Sequence, residues 1–590
     1  MEYKKYKDLP PEETIKKAKY ILQLVSIEVE ENTHCPSHNL YYTRLEIPSL
    51  RWGTNGKGTS EIYSRASAYG EMMERLQNLH LPDSLFKTVS KEILSKKGFK
   101  YYPDECNITY SDIISKLPEL QKDMCRSFQE ADNVLPTDEE LHDVWEKWNG
   151  TESYTGLPFY SVKNGGTKVF PYEIIRRLCR SNGIASGNTI EEALCQAICE
   201  ILERYTLERL FVEELTPPEI PNSFLKSNCP ELYSTIGEIE SKGNYRLLVL
   251  DGSLGKSIPV VCILFIDYEN QTYRIKLGCH PMFNIALERC LTELAQGTNF
   301  TKAGNSRQMT KLNIDDTQNW DTLKNWSSMF RSNMGSIPMS MFSSNPSWEF
   351  NEWGTNINYD NQKGVSQLIG LCLSLSSDIY IRNNSYLGFP SVRVYVPGIT
   401  SVHKFNPLGK KTVSKHLIDV VENFPWHSYS LSREEKQAIV NLFNEDYHFL
   451  YSEKLGVSVP ILLGTLNYDL GNTVAAIDCL NQELSPTLYI KAAICELKMQ
   501  EKHINTSDRN RILLLFFGQK YLVYVELNWR SRDASKGLFD PFRTNKDRID
   551  IVNQMDLKHD IDIVYSRMKD VMVKQHISQD VGRYLYCSDC

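Results

Sequence analysis

GNTIEEALCQAICEILERYTLERL, residues 187–210, carries apolar residues on two sides of a helical period, and this limits where such a segment can sit. Ala193, Leu194, Cys195, Ala197, Ile198, Cys199, Ile201 and Leu202 surround a single polar edge of Glu192, Gln196, Glu200 and Glu203. At about 100° per residue these four fall at roughly 0°, 40°, 80° and 20°. A solvated face would explain one such stripe on an ordinary amphipathic helix, but here the lysines of a solvated face are missing. The helix is therefore expected to be buried, with carboxylates that need cations beside them.

Two further helices repeat the pattern. Ser64, Ser67, Glu71 and Glu74 lie within about 80° on SEIYSRASAYGEMMERLQNL, and Arg289, Glu293 and Gln296 within about 60° on NIALERCLTELAQG. SAYGEMMERL (67–76) and QAICEILERY (196–205) also share E-x-x-E-R after matching small or apolar residues. Two related strand-helix halves facing each other are expected, giving an α+β fold built as a duplicated antiparallel sheet/helix sandwich.

Carboxylates spaced along helices suit a hard cation such as Mg2+, which takes few protein ligands and brings phosphates with it. Lys57, Arg75, Arg204 and Arg289 then read as phosphate contacts. The constellation points to a nucleoside triphosphate bridged by metal. TNGKGTS does not supply a P-loop, since Gly58 follows Lys57 where that motif needs Ser or Thr.

Along the chain, Pro10, Pro11 and Glu12 are expected to open a helix reaching about Val29, and SLRWGTNGKGTS to be a strand running into a Gly-rich turn. Residues 84–165 lose periodicity and read as a variable insertion with local helices. YRLLVLDGSLGKSIPVVCILFID reads as a hairpin, and SVRVYVPGITSV as a late strand. Helical patterns dominate after about residue 425, so residues 1–425 are expected to form one domain and 426–590 a second, all-α one.

With 590 residues, the chain has ample length for these cores. A net charge of −8 excludes a basic surplus for nucleic acid or anionic membrane, and no run of some 18 apolar residues offers a membrane span. Fifteen cysteines scattered singly through apolar segments read as free thiols, so a soluble cytoplasmic protein is expected. Cys195/Cys199 and Cys587/Cys590 have no second pair at zinc-site spacing and read as core filler and tail.

NGKGTSEIYSRASAYGEMMERL, SNGIASGNTIEEALCQAICEILERY and GCHPMFNIALERCLTELAQG, in this order and at these separations, resemble the YcaO family of ATP-dependent enzymes that activate peptide backbone amides. GLPFYSVKNGGTKVFPYEII looks like the family's segment before the second helix. The resemblance covers residues 1 to about 400, and the helical C-terminal region is similar to the tetratricopeptide-like region of the long enterobacterial type.

The resemblance implies ATP and Mg2+ as cofactors. It implies nucleotide contacts at Lys7, Thr14 and Ser67, where residue type alone would suggest a surface lysine and a first-turn threonine. Glu71, Glu74, Glu192, Glu200 and Glu203 match the family's metal or phosphate-site carboxylates. Asn188, Gln196, Arg204, Arg289 and Glu293 match its other nucleotide-site positions, joined by Lys57 and Arg75. Glu200, Glu203, Arg204 and Arg289 are expected to carry catalysis.

In the family, a Cys, Ser or Thr side chain or external sulfide adds to an amide and the oxyanion is phosphorylated, giving an azoline or a thioamide in a ribosomally made peptide. The chain offers no Cys/His or Ser/His pair as a nucleophile of its own. It ends VGRYLYCSDC, without the Pro-rich tail of many azoline-forming members, which favours the long type. That type is linked to ribosomal protein S12 methylthiolation as an accessory factor. No leader-binding domain is expected before residue 1, so the expected partners are a peptide or ribosomal-protein substrate and a separate leader-binding or sulfur-delivery protein. A homodimer is the expected assembly.

Overall fold

The computed structural model describes residues 6–37, 39–50, 52–81, 89–127, 137–139, 141–142, 153–296, 300, 309–318, 320–321, 325–326, 328–329, 335–355, 359–401, 431–444, 459–482, 488–530 and 546–585. Two expectations lie outside them: the helix past residue 444 as far as 451, and the Cys587/Cys590 tail. Contacts divide the chain into two compact units, one of Met1–Gln129, Asn133–Lys404 and Asp560–Cys590, the other of Glu130–Asp132 and Phe405–His559.

Among the described residues the first unit holds three antiparallel sheets. One has the order β1 (Glu30–Ser37), β2 (Leu40–Ile47), β3 (Trp52–Gly58). A six-stranded sheet joins β4 (Cys106–Thr109), β5 (Ser153–Ser161), β6 (Thr167–Pro171), β7 (Ile184–Ser186), β12 (Tyr380–Asn383) and β13 (Ser391–Tyr395). Its order is β4-β5-β12-β13-β7, with β6 paired to β5. The four-stranded sheet has β8 (Tyr245–Asp251), β9 (Val260–Asp267) and β10 (Thr272–Cys279), with β11 (Thr310–Lys311) at its edge. The expected hairpin is β8–β9, in register from Tyr245↔Asp267 to Asp251↔Val261.

Four helices bear on the site: α1 (Pro11–Leu24), α2 (Glu61–Gln77), α3 (Ile190–Val212) and α4 (Phe283–Ala295). α1 stops well before Val29, since Ser26 turns to φ 58° and the chain then enters β1. Ser60 and Thr189 cap α2 and α3, their hydroxyls accepting from the N–H groups of Tyr63 and Glu192.

α3 is buried as its apolar period demands. Leu194, Ile198, Ile201 and Leu202 pack in one core with Ile381, Val392 and Val394 of the six-stranded sheet and Cys262, Leu264 and Ile275 of the four-stranded sheet. Val365, Leu368 and Ile369 of the helix Asn361–Leu375 complete it. A second core under the other face of the four-stranded sheet joins Val261, Ile263 and Phe265 to Leu287, Leu291 and Leu294 of α4.

Two expectations change here. NGKG is not a turn: Gly53, Gly56 and Gly58 lie inside β3, where Gly56 lets the strand meet α2 so closely that a Cβ would stand 2.1 Å from the Ala68 nitrogen. Residues 84–165, expected as an insertion with local helices, carry the helices Lys91–Ser95, Tyr110–Lys116 and Pro118–Ser127, and also β4 and β5, which are strands of the six-stranded sheet. Pro158 and Gly156 disguise the alternation of β5, and both sit where β6 is paired.

The second unit is helical. Thr473–Asn481, Leu488–Glu501 and Thr506–Phe517 share a core with Ile477, Ala492, Leu497 and Leu513. Fully buried Glu496 is held there by Arg509 at 2.5 Å and Arg530 at 2.6 Å. The helix Lys546–Met572 leads back into the first unit, where Val581 and Leu585 join the core around α3.

Candidate functional site

The three polar stripes open on one cavity of about 400 Å³. Ser67, Glu71, Glu74 and Arg75 reach it from α2, and Lys57 from the end of β3. Asn188 precedes α3, which contributes Glu192, Gln196, Glu200, Glu203 and Arg204. Arg289, Glu293 and Gln296 come from α4 and its end, and Lys7 and Thr14 from the N-terminal segment and α1. Ser64 is the exception, since its hydroxyl donates to the Glu61 carbonyl and pairs with Thr43 at 2.7 Å.

Basic side chains meet the carboxylates one by one. Lys7 Nζ donates to Glu192 Oε1 at 2.9 Å, while the Asp8 N–H and Asn188 Nδ2 donate to Oε2 at 3.1 and 3.0 Å. Thr14 Oγ1 donates to Asn188 Oδ1 at 2.8 Å, so α1 is tied to the start of α3. Arg75 lies 3.2 Å from Glu71 and 3.6 Å from Glu74. Arg204 holds Glu200 at 2.9 Å, and Lys57 pairs with Glu293. Arg289 bridges helices: Nη1 donates to Gln196 Oε1 at 2.5 Å and Nη2 lies 3.5 Å from Glu203 Oε1. The Cys279 N–H also donates to Glu203, at 2.8 Å.

Seven carboxylates face six basic side chains around this lining. The imbalance is local. Burial pushes the Glu74 carboxyl up to about 8, with Arg75 opposing and the Glu200 and Glu71 charges adding. Burial also takes Glu203 to about 6 against the pull of Arg289. Burial acts on Glu192 and Glu293 too, yet Lys7 holds the first below its ordinary value and Lys57 with Lys276 brings the second to about 2. At Glu74 and Glu203 the basic neighbours thus fall short of offsetting burial.

A hard divalent cation fits that shortage and those oxygen donors. The expected set of Glu71, Glu74, Glu192, Glu200 and Glu203 is nevertheless no preformed coordination sphere, because among the described residues no three such side chains gather as a metal-holding group. The guanidinium groups on the same walls suit phosphate oxygens.

A family model described as YcaO cyclodehydratase, ATP- and Mg2+-binding, matches residues 55–400, well over half the chain. The chain belongs to the YcaO family. ATP and Mg2+ are therefore its family's ligands, as the composition of the cavity suggests. The "Ribosomal protein S12 methylthiotransferase accessory factor YcaO" of Escherichia coli is 29% identical over 66% of this chain and 64% of its own length, so the match spans less than two thirds of that relative. An uncharacterised Haemophilus influenzae protein is 27% identical over 68% of this chain and 67% of its own. The solved structure of YcaO from Methanopyrus kandleri, bound with AMPPCP and Mg2+, aligns with 67% of this chain and 92% of its own at 18% identity and a TM-score of 0.44.

In this YcaO chain sequence reasoning missed Lys276, Glu288 and Tyr6, which also line the cavity. Lys276 lies on β10, and burial lowers it to about 7 although Glu293 stands 3.9 Å away. A lysine inside the apolar run YRIKLGC was the available signal. Tyr6 donates to Glu288 at 2.9 Å, a contact across 282 residues that no local pattern announces. Among the described residues no helix is long and apolar enough to cross a membrane.

Proposed function

We propose that this YcaO protein activates a peptide backbone amide by ATP-dependent O-phosphorylation, leading to an azoline or a thioamide in a ribosomally made peptide. The observation that carries the reading is the convergence of three helical stripes, bearing carboxylates and guanidinium groups, on one cavity. The catalytic region in this reading is residues 1–425, with 426–590 as a helical accessory region.

Bound there, Mg2+ and ATP supply the phosphoryl group that turns a poor amide leaving group into a good one. With Mg2+ and ATP bound, carboxylates drawn from Glu71, Glu74, Glu192, Glu200 and Glu203 would hold the cation and orient the nucleotide's basic contacts. Arg204 and Arg289, with Lys57 and Arg75, neutralise charge on the transferring phosphoryl group, and Arg289 is held in place by Gln196. Lys7, Thr14, Ser67, Asn188 and Glu293 complete the nucleotide side. The attacking thiol, hydroxyl or sulfide comes from the substrate side. Buried Cys195 and Cys199 are poor candidates, since contact with Cys199 and burial push the first thiol well up, and burial pushes up the second against the pull of the Cys195 contact.

A second reading has its own support. The Escherichia coli relative is named as an accessory factor, and an ATP-binding scaffold acting through the helical region would use the same cavity. The test is phosphate release by purified protein with Mg2+, ATP and peptides encoded beside its gene, followed by mass analysis for lost water or for oxygen exchanged by sulfur. Peptide-stimulated release that falls by about 100-fold or more in Glu200→Ala and Glu203→Ala supports amide activation. ATP binding without turnover supports the accessory reading, and ATP binding unchanged in both variants removes the site.

A further inference from the structure

A second cavity, of about 530 Å³, adjoins the first, and Glu288 is the side chain that lines both. The two are built on the same elements. Lys57 and Gly58 face the first cavity and Thr59, the next residue, faces the second. On α4, Arg289 and Glu293 face the first cavity, while Asn284, Glu288 and Leu291, spaced by four and three residues, form the neighbouring stripe toward the second.

We infer that the second cavity seats a stretch of the peptide substrate free of acidic residues, beside the nucleotide cavity. This rests on the amide-activation reading. In-line phosphoryl transfer requires the acceptor oxygen to be held roughly 3 to 3.5 Å from phosphorus, so the peptide must bind in a space next to the nucleotide cavity. The second cavity meets it at the Glu288 side chain.

Its chemistry selects the occupant. The amides of Asn39, Asn228 and Asn284 offer both a donor and an acceptor, which matches peptide backbone. Leu40, Leu232 and Leu291 give apolar walls for small side chains. Among the described lining residues the charged ones are Glu231 and Glu288, with no Lys or Arg, so aspartate or glutamate in the bound stretch is disfavoured. Glu288, steadied by Tyr6 at 2.9 Å, touches peptide on one side and the nucleotide cavity on the other.

The test uses the full chain and fluorescein-labelled pools of random decapeptides, one of neutral residues and one carrying aspartates, read by anisotropy. The neutral pool binds about tenfold or more tighter than the acidic pool. Asn228→Trp and Asn284→Arg, both at exposed positions, weaken neutral-pool binding by about tenfold while ATP affinity stays within about twofold. Equal binding by the variants, or no binding of the neutral pool to wild type, overturns the inference. Should wild type bind the neutral pool in this way yet never hydrolyse ATP with it, the amide-activation reading fails while the peptide site stands. Peptide-stimulated hydrolysis that both variants retain at unchanged peptide concentrations sinks the peptide site alone.

Discussion

Lys7 and Glu192 are 185 residues apart in sequence and 2.9 Å apart in space, Nζ to Oε1. The bridge closes one end of the cavity by pinning the N-terminal segment to the first turn of α3. Lys7→Ala should weaken ATP binding by about tenfold, measured by calorimetry. Lys7 also holds the Glu192 carboxyl below its ordinary 4.5, so this pair stabilises the fold above that value and the contribution is lost as pH falls through the folded value. Between pH 5 and 3 wild type should therefore lose more stability than Lys7→Ala; equal losses would contradict the pairing.

Glu74 has the opposite sign. Its folded value of about 8 stands above its ordinary 4.5, so its contribution is fully present below 4.5 and is lost as pH rises through about 8. In metal-free buffer, unfolding free energy should fall by about 2 kcal/mol from pH 6 to pH 8, and Glu74→Gln should flatten that slope. Added Mg2+ favours the ionised carboxylate and should reduce the loss, as thermal melts at each pH would show.

Gly56 and Gly70 give a matched pair of stability measurements. A Cβ at Gly56 meets the Ala68 nitrogen at 2.1 Å and the Ser64 carbonyl at 2.2 Å, both backbone, whereas none lies within 4 Å of a Cβ at Gly70 on α2. Gly56→Ala should cost about 3 kcal/mol in urea unfolding. Gly70→Ala should stabilise by roughly 0.5 to 1 kcal/mol through helix propensity.

Arg382 is fully buried in the six-stranded sheet, and Asp104 receives both its terminal nitrogens at 2.7 and 2.9 Å. Asp104→Ala leaves that guanidinium with the Pro158 carbonyl at 3.0 Å and loses its counter-charge. A loss of about 3 to 5 kcal/mol is expected in denaturant titration. Asp104→Asn should recover part of it, because one acceptor remains.

What could be read in the sequence was the burial of α3 and the direction of its stripe. Both follow from a period that every residue between Glu192 and Glu203 obeys, and a buried acid edge implies cations without knowledge of the fold. The neighbouring glycines misled because Gly signals a turn and a close approach equally well; only the distance from Gly56 to α2 separates the two. Lys7 and Thr14 carried no local signal and entered through family resemblance, their role resting on pairings with Glu192 and Asn188 far along the chain. Lys276 and Glu288 were missed because strand β10 carried no reading of its own and the stripe on α4 was drawn through Arg289, Glu293 and Gln296, about 100° round from Glu288.

Val581 and Leu585 belong to the core around α3, whose other members lie at or before Ile399. A ribosome must therefore add some further 180 residues, about 10 to 40 s of elongation, before that interior can close. Throughout this interval the nascent first unit presents an unfinished apolar seam, and chaperone engagement should concentrate there until Val581 and Leu585 emerge.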